Sequence, residues 1–122
     1  MHILSGHGYS RSRSFGLGDT ATGMTAEANS VNMKLFQSVN SLYELIYSGV
    51  LERFPKLKLV LVENELGWIP FVLEQLDYYF KRHGAKRECL TIKKLPSEYF
   101  HNQIYTTFFN DAVGGHILSW WG

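Results

Sequence analysis

Hydrophobic positions along this chain change period several times, and each change marks an element. From Asn29 onward Val31, Leu35, Val39, Leu42 and Ile46 recur at steps of four, four, three and four. That spacing predicts one helix with a single buried stripe, and Asn29 or Ser30 can cap it. Gly49 interrupts the stripe, and GVLERFP finishes at Pro55, where a helix cannot continue. Leu57 to Val62 then reads as a strand by length and β-branched content. Apart from Lys58 it is apolar on both faces, which predicts a parallel strand covered by helices rather than a half-exposed antiparallel one.

The next helix is predicted from Trp68 to Lys81, with Pro70 in its first turn. Ile69, Val72, Leu73, Leu76 and Phe80 face a core, and Glu74, Asp77 and Lys81 face outward. HGAKRECLTIKK is a polar connection, and LPSEYFHNQ predicts a short helix with Ser97 near its start. IYTTFF, at 104–109, is a further strand nearly free of charge, and DAVGGHILSWW begins another helix. At the other end MHIL is an apolar run too short for periodicity to classify, followed by the Gly/Ser/Thr-rich loop SGHGYSRSRSFGLGDTATG. The order is strand, loop, helix, strand, helix, strand, helix. Such alternation predicts an α/β architecture with a parallel sheet, in one domain or a piece of one.

Composition narrows the function classes. Of 122 residues, 45% are hydrophobic and 15% aromatic, enough for a packed core. Twelve basic and eleven acidic side chains give a net charge of +1, which argues against a nucleic-acid binder, since that would need a basic face for phosphates. No apolar run approaches the roughly 20 residues of a membrane helix, and no signal-peptide layout opens the chain. Cys89, the single cysteine, cannot form an internal disulfide and lies in a charged stretch without an evident base. The expectation is a cytoplasmic protein with neither nucleic-acid nor membrane partners.

Candidate chemistry concentrates where strands end. In parallel α/β folds, ligands and reacting groups gather beyond the carboxyl ends of the strands. Here those ends carry His2 and His7 after the first strand, Glu63-Asn64-Glu65 after the second and Asn110-Asp111 after the third. Imidazoles and carboxylates are costly to bury unpaired, and a bound cation can satisfy several at once. Glu65 and Asp111 read first as solvated or capping groups. Glu63 differs, because it directly continues the apolar run and its side chain can still point inward. On composition alone His2 (near a terminus) and His7 (in a Gly-Ser loop) have no assigned role, and His83, His101 and His116 read as surface or packing residues. The GLG at 16–18 has no strand immediately before it and is a weak phosphate-loop signal.

The run GVLERFPKLKLVLVENELGWIPFVLEQLDYYFKR, followed by LPSEYFHNQIYTTFFNDAVG, resembles the second half of the amidohydrolase-related proteins. The ERFPKLK approach to a strand, the GWIPF start of a helix and the LPSEYF…IYTTF segment occur together and in order, and the resemblance spans nearly the whole chain. It implies a partial (β/α)₈ TIM barrel, with MHIL, KLVLVE and IYTTFF as roughly strands five to seven. It also implies a metal-dependent hydrolase of C–N or C–O bonds, or a nonoxidative decarboxylase of a carboxylic acid. The family's strand-borne histidine with a Gly/Ser turn matches His2-Ile3-Leu4-Ser5-Gly6, which makes His2 the metal-ligand candidate. Where many relatives carry a histidine after strand six this chain has Glu63, a departure that a carboxylate can fill on zinc or manganese. Glu63 is the catalytic candidate; His7, Asn64, Asn110 and Asp111 are substrate-binding candidates for a small molecule. The first-strand His-x-His pair and the eighth-strand aspartate have no counterpart, so the expectation is a C-terminal fragment, inactive alone, with Met1 internal to a longer protein. A noncatalytic α/β module that forms a homodimer, or binds a partner, through its exposed half-barrel surface is the rival reading. An open nucleotide-binding sheet is a weaker one, for want of a Gly-rich turn between strand and helix.

Overall fold

A computed structural model of the protein describes residues 36–83 and 90–121. Helix α1 occupies 36–47 of this span, and Leu42 and Ile46 of the predicted stripe are fully buried. Its start, the MHIL strand, His2 and His7 lie outside the described residues. Gly49 follows with φ 73°, and a Cβ there would lie 2.9 Å from Cβ of Thr91, so this left-handed turn takes glycine. Helix α2, Val50–Arg53, stops before Pro55.

Strand β1, Leu59–Leu61, pairs in parallel with β2, Ile104–Thr106, in the register Leu59 to Ile104, Val60 to Tyr105 and Leu61 to Thr106. Both strands are shorter than the apolar runs that predict them. Leu57 is drawn into a turn by donating its N–H to the Phe54 carbonyl (2.9 Å), and the Gln103 amide binds the carbonyls of Phe54 and Leu57. Beyond β1 the pairing continues as single bonds, Thr107 N–H to Leu61 O (2.9 Å) and Asn64 N–H to Thr107 O (3.0 Å).

Helix α3, Ile69–Arg82, begins with Pro70 in its first turn and buries Ile69, Leu73 and Phe80, with Val72 and Leu76 half-buried beside them. Helix α4, Pro96–Gln103, packs on α3 and leads directly into β2; helix α5, Ala112–Trp121, follows. Asp77 does not face outward as the periodicity predicts. Its carboxylate accepts Ser97 N–H (2.9 Å) and Ser97 Oγ–H (2.6 Å), capping α4 from the side of α3. Near the amino ends of the strands Tyr99 is buried: its hydroxyl donates to Glu52 and accepts the N–H groups of Lys93 and Lys94 (3.1 Å each). Burial, then the Glu52 carboxylate, pushes its pKa up, so it stays a neutral donor.

The protein is thus an α/β structure, with a two-stranded parallel sheet among the described residues. Among the described residues, helices cover one face of the sheet. Leu61 and Ile104 enter the core with the helices, but Val60 and Tyr105, paired on the opposite face, are 37% and 57% exposed. Alternation along each strand sends neighbours to opposite faces, and the helices described here cover one of them. No helix among the described residues is long and apolar enough to cross a membrane.

Candidate functional site

The turn leaving β1 has an unusual backbone. Glu63 and Glu65 both adopt φ 57°, the left-handed region, which for residues other than glycine costs on the order of 1–2 kcal/mol each. Between them Asn64 is turned inward and is 2% exposed. Its Nδ2 donates to the Val62 carbonyl (2.7 Å), and its Oδ1 accepts the Ser38 hydroxyl of α1. The Trp68 indole donates to its backbone carbonyl (2.6 Å). Two left-handed residues around a buried amide turn the chain from strand toward helix while satisfying that amide's polar groups. Glu63→Gly is therefore expected to raise stability by about 1 kcal/mol, by removing the Cβ from a left-handed position. Urea denaturation of the variant beside wild type checks this; an unchanged or lowered midpoint would mean that the turn is not strained.

The turn is fastened to the loop that leaves β2. Glu63 N–H donates to Thr107 Oγ1 (2.9 Å). The Glu65 carboxylate accepts the N–H groups of Phe109 (3.3 Å) and Asn110 (3.3 and 3.5 Å). In return Asp111 Oδ2 accepts the N–H groups of Leu66 and Gly67 (2.5 Å each), while its Oδ1 accepts Gly114 N–H in the first turn of α5 (2.6 Å). Burial by itself would raise the Asp111 pKa; the bonds from Gly114, Gly67 and Leu66 outweigh it and hold the carboxyl below its ordinary value. Close approach makes Gly114 necessary, since a Cβ there would lie 2.6 Å from Cβ of Leu66 and 2.7 Å from Asp111 Oδ2.

Four of the six candidates fall on described residues, all at the carboxyl ends of β1 and β2. Asn64 is an internal anchor rather than a surface group. Asp111 and the backbone of Asn110 are engaged in the loop-to-loop bonds. Glu63 is exposed and, past the end of β1, does not continue into the core as its place after the apolar run suggested. Among the described residues no hydrogen bond reaches its carboxylate, and no group of three or more His, Cys, Asp or Glu gathers there or elsewhere. His83, His101 and His116 are exposed. Sequence reasoning missed Ser38 and Thr107, a helix serine and a strand-end threonine whose roles depend on partners far along the chain. The apolar groove between α1 and α3, lined by Phe36, Tyr43, Phe71 and Leu76, does not include Glu63 among its lining residues. No protein-family model matches the chain, and no curated protein matches it.

Proposed function

We propose that this chain contributes consecutive β/α units to a metal-dependent barrel of the amidohydrolase-related type, acting on a small molecule by C–N or C–O hydrolysis or by nonoxidative decarboxylation. The observation that carries the reading is Glu63. It stands at the carboxyl end of a parallel strand on a strained backbone, with its carboxylate unengaged among the described residues, while Asn64, Glu65 and Asp111 around it have structural partners. Strain held at a strand end beside an unengaged acid is where α/β enzymes keep reacting groups.

Glu63 does not by itself make a metal site, and the described residues hold no group of three or more His, Cys, Asp or Glu that would complete one. In this reading His2 and other ligands come from outside the described residues. Zinc or manganese would supply Lewis acidity toward water or toward a substrate carboxylate. Glu63 would then hold the cation, or act as the base whose carboxylate oxygen takes a proton from the water that attacks the substrate.

The rival reading, a noncatalytic module that self-associates, is favoured by exposed Tyr105, Phe108, Phe109, Val113 and Trp120. Metal analysis of the purified protein with His2→Ala and Glu63→Ala, run beside light scattering, separates the two. Stoichiometric zinc or manganese, lost in both variants while the fold persists, is the expected result. A metal-free dimer would favour the module, and metal retained in both variants would remove these residues from the site.

A further inference from the structure

Glu65 and Asp111 bind each other's loops in a reciprocal way that neither the strand pairing nor helix capping requires. The turn after β1 lends the Glu65 carboxylate to the amides of Phe109 and Asn110, and the loop after β2 lends the Asp111 carboxylate to the amides of Leu66 and Gly67. A simple cap on α5 would need only the Asp111 bond to Gly114. Together with Thr107, which accepts from Glu63 and Asn64, these bonds fasten residues 63–67 to 107–111 at successive points.

We infer that Glu65 and Asp111 are positioning residues that hold Glu63 at the rim by exchanging carboxylate–amide bonds between the two strand-end loops. This rests on the reading of Glu63 as the functional carboxylate. A left-handed residue other than glycine persists only where its surroundings over-determine it. Thr107 fixes Glu63 at its own amide, and the two carboxylates fix the chain immediately after it. The Asp111 arm has the shorter bonds, at 2.5 Å against 3.3 Å for Glu65, so it is the stronger of the two. Releasing the weaker arm frees the rim without removing the cap on α5, which makes Glu65 the informative position.

The experiment is amide hydrogen exchange by NMR on wild type, Glu65→Ala and Glu65→Gln, with titration of Zn²⁺ alone into each. In Glu65→Ala, protection at Glu63, Asn64, Phe109 and Asn110 is expected to fall about tenfold while Leu73 and Leu76 in α3 keep theirs. Glu65→Gln, whose amide oxygen still accepts, should recover protection to within about threefold of wild type. The zinc dissociation constant should follow the same order, weakened about tenfold in Glu65→Ala and restored in Glu65→Gln. Equal loss of protection in both variants would reduce Glu65 to its charge, and unchanged protection at Glu63, or loss spread evenly through α3, would also overturn the proposal. If wild type binds no zinc, the metal reading fails, and exchange at Glu63 still decides whether the carboxylate pair positions it. If Glu65→Ala does not fold, Glu65→Gly deletes the same carboxylate without left-handed strain and is read by the same criteria.

Discussion

Leu61→Ala is expected to destabilise the protein by about 3 kcal/mol, the largest of these effects, because it opens a cavity where the sheet meets the helices. Leu61 is 1% exposed at the end of β1 and shares its core with Leu42, Ile46, Ile69, Leu73 and Ile104. Removing three buried carbons loses their transfer free energy and leaves a void that a close-packed interior fills poorly. Against a total stability of roughly 5–15 kcal/mol, such a loss is a substantial fraction. The check is the urea midpoint at unchanged slope. Val60→Ala, one residue away and 37% exposed, should shift that midpoint far less while the protein is a monomer. A loss below about 1 kcal/mol for Leu61→Ala would mean that this core is not close-packed. A large loss for Val60→Ala would mean that something covers that residue in solution.

Asp111→Asn is expected to cost about 2 kcal/mol at neutral pH. The carboxylate gives two oxygens to three backbone donors, Leu66, Gly67 and Gly114. Asparagine offers one oxygen and sets an NH₂ group against the remaining donors. The pH dependence follows from the direction of the shift. The folded carboxyl titrates below its ordinary value, so its stabilisation is fully present above the unfolded pKa. It is lost as pH falls through the folded pKa. The difference between wild type and Asp111→Asn should therefore hold constant from pH 7 to about 5 and shrink below about 4. Denaturation curves across that range test it; a difference that persists unchanged into acid would show that the lost bonds do not depend on the carboxylate's charge.

Much of the fold is legible from periodicity because an amphipathic helix writes its buried side into its own residues. Leu42 and Ile46 in α1, and Ile69, Leu73 and Phe80 in α3, are buried where the spacing puts them. Gly49 and Pro55 act as the breaks their backbone chemistry requires. Strand length is less legible. Leu57 is apolar and reads as strand, yet Gln103 and Phe54 draw it into a turn, a contact across 46 residues in the case of Gln103 to Leu57. Asp77 shows the same limit: helical spacing places it outward, while the cap it provides for α4 depends on where that helix begins.

For the candidate site, residue order alone places carboxylates and amides after the apolar runs, because a strand's hydrophobic segment must end before polar groups appear. It also determined the alternation of strand and helix that makes an α/β architecture. Which of those polar groups has a structural partner depends on contacts made across the fold. Glu63, Asn64 and Glu65 are consecutive polar residues, yet one is exposed at the rim, one is a buried anchor and one binds the neighbouring loop. Their roles are set by Ser38, Thr107 and the amides of 109–110, which lie 26 to 45 residues away along the chain. Local pattern encodes which side of an element is apolar; the identity of a distant hydrogen-bond partner exists only once parallel pairing has fixed the register between β1 and β2.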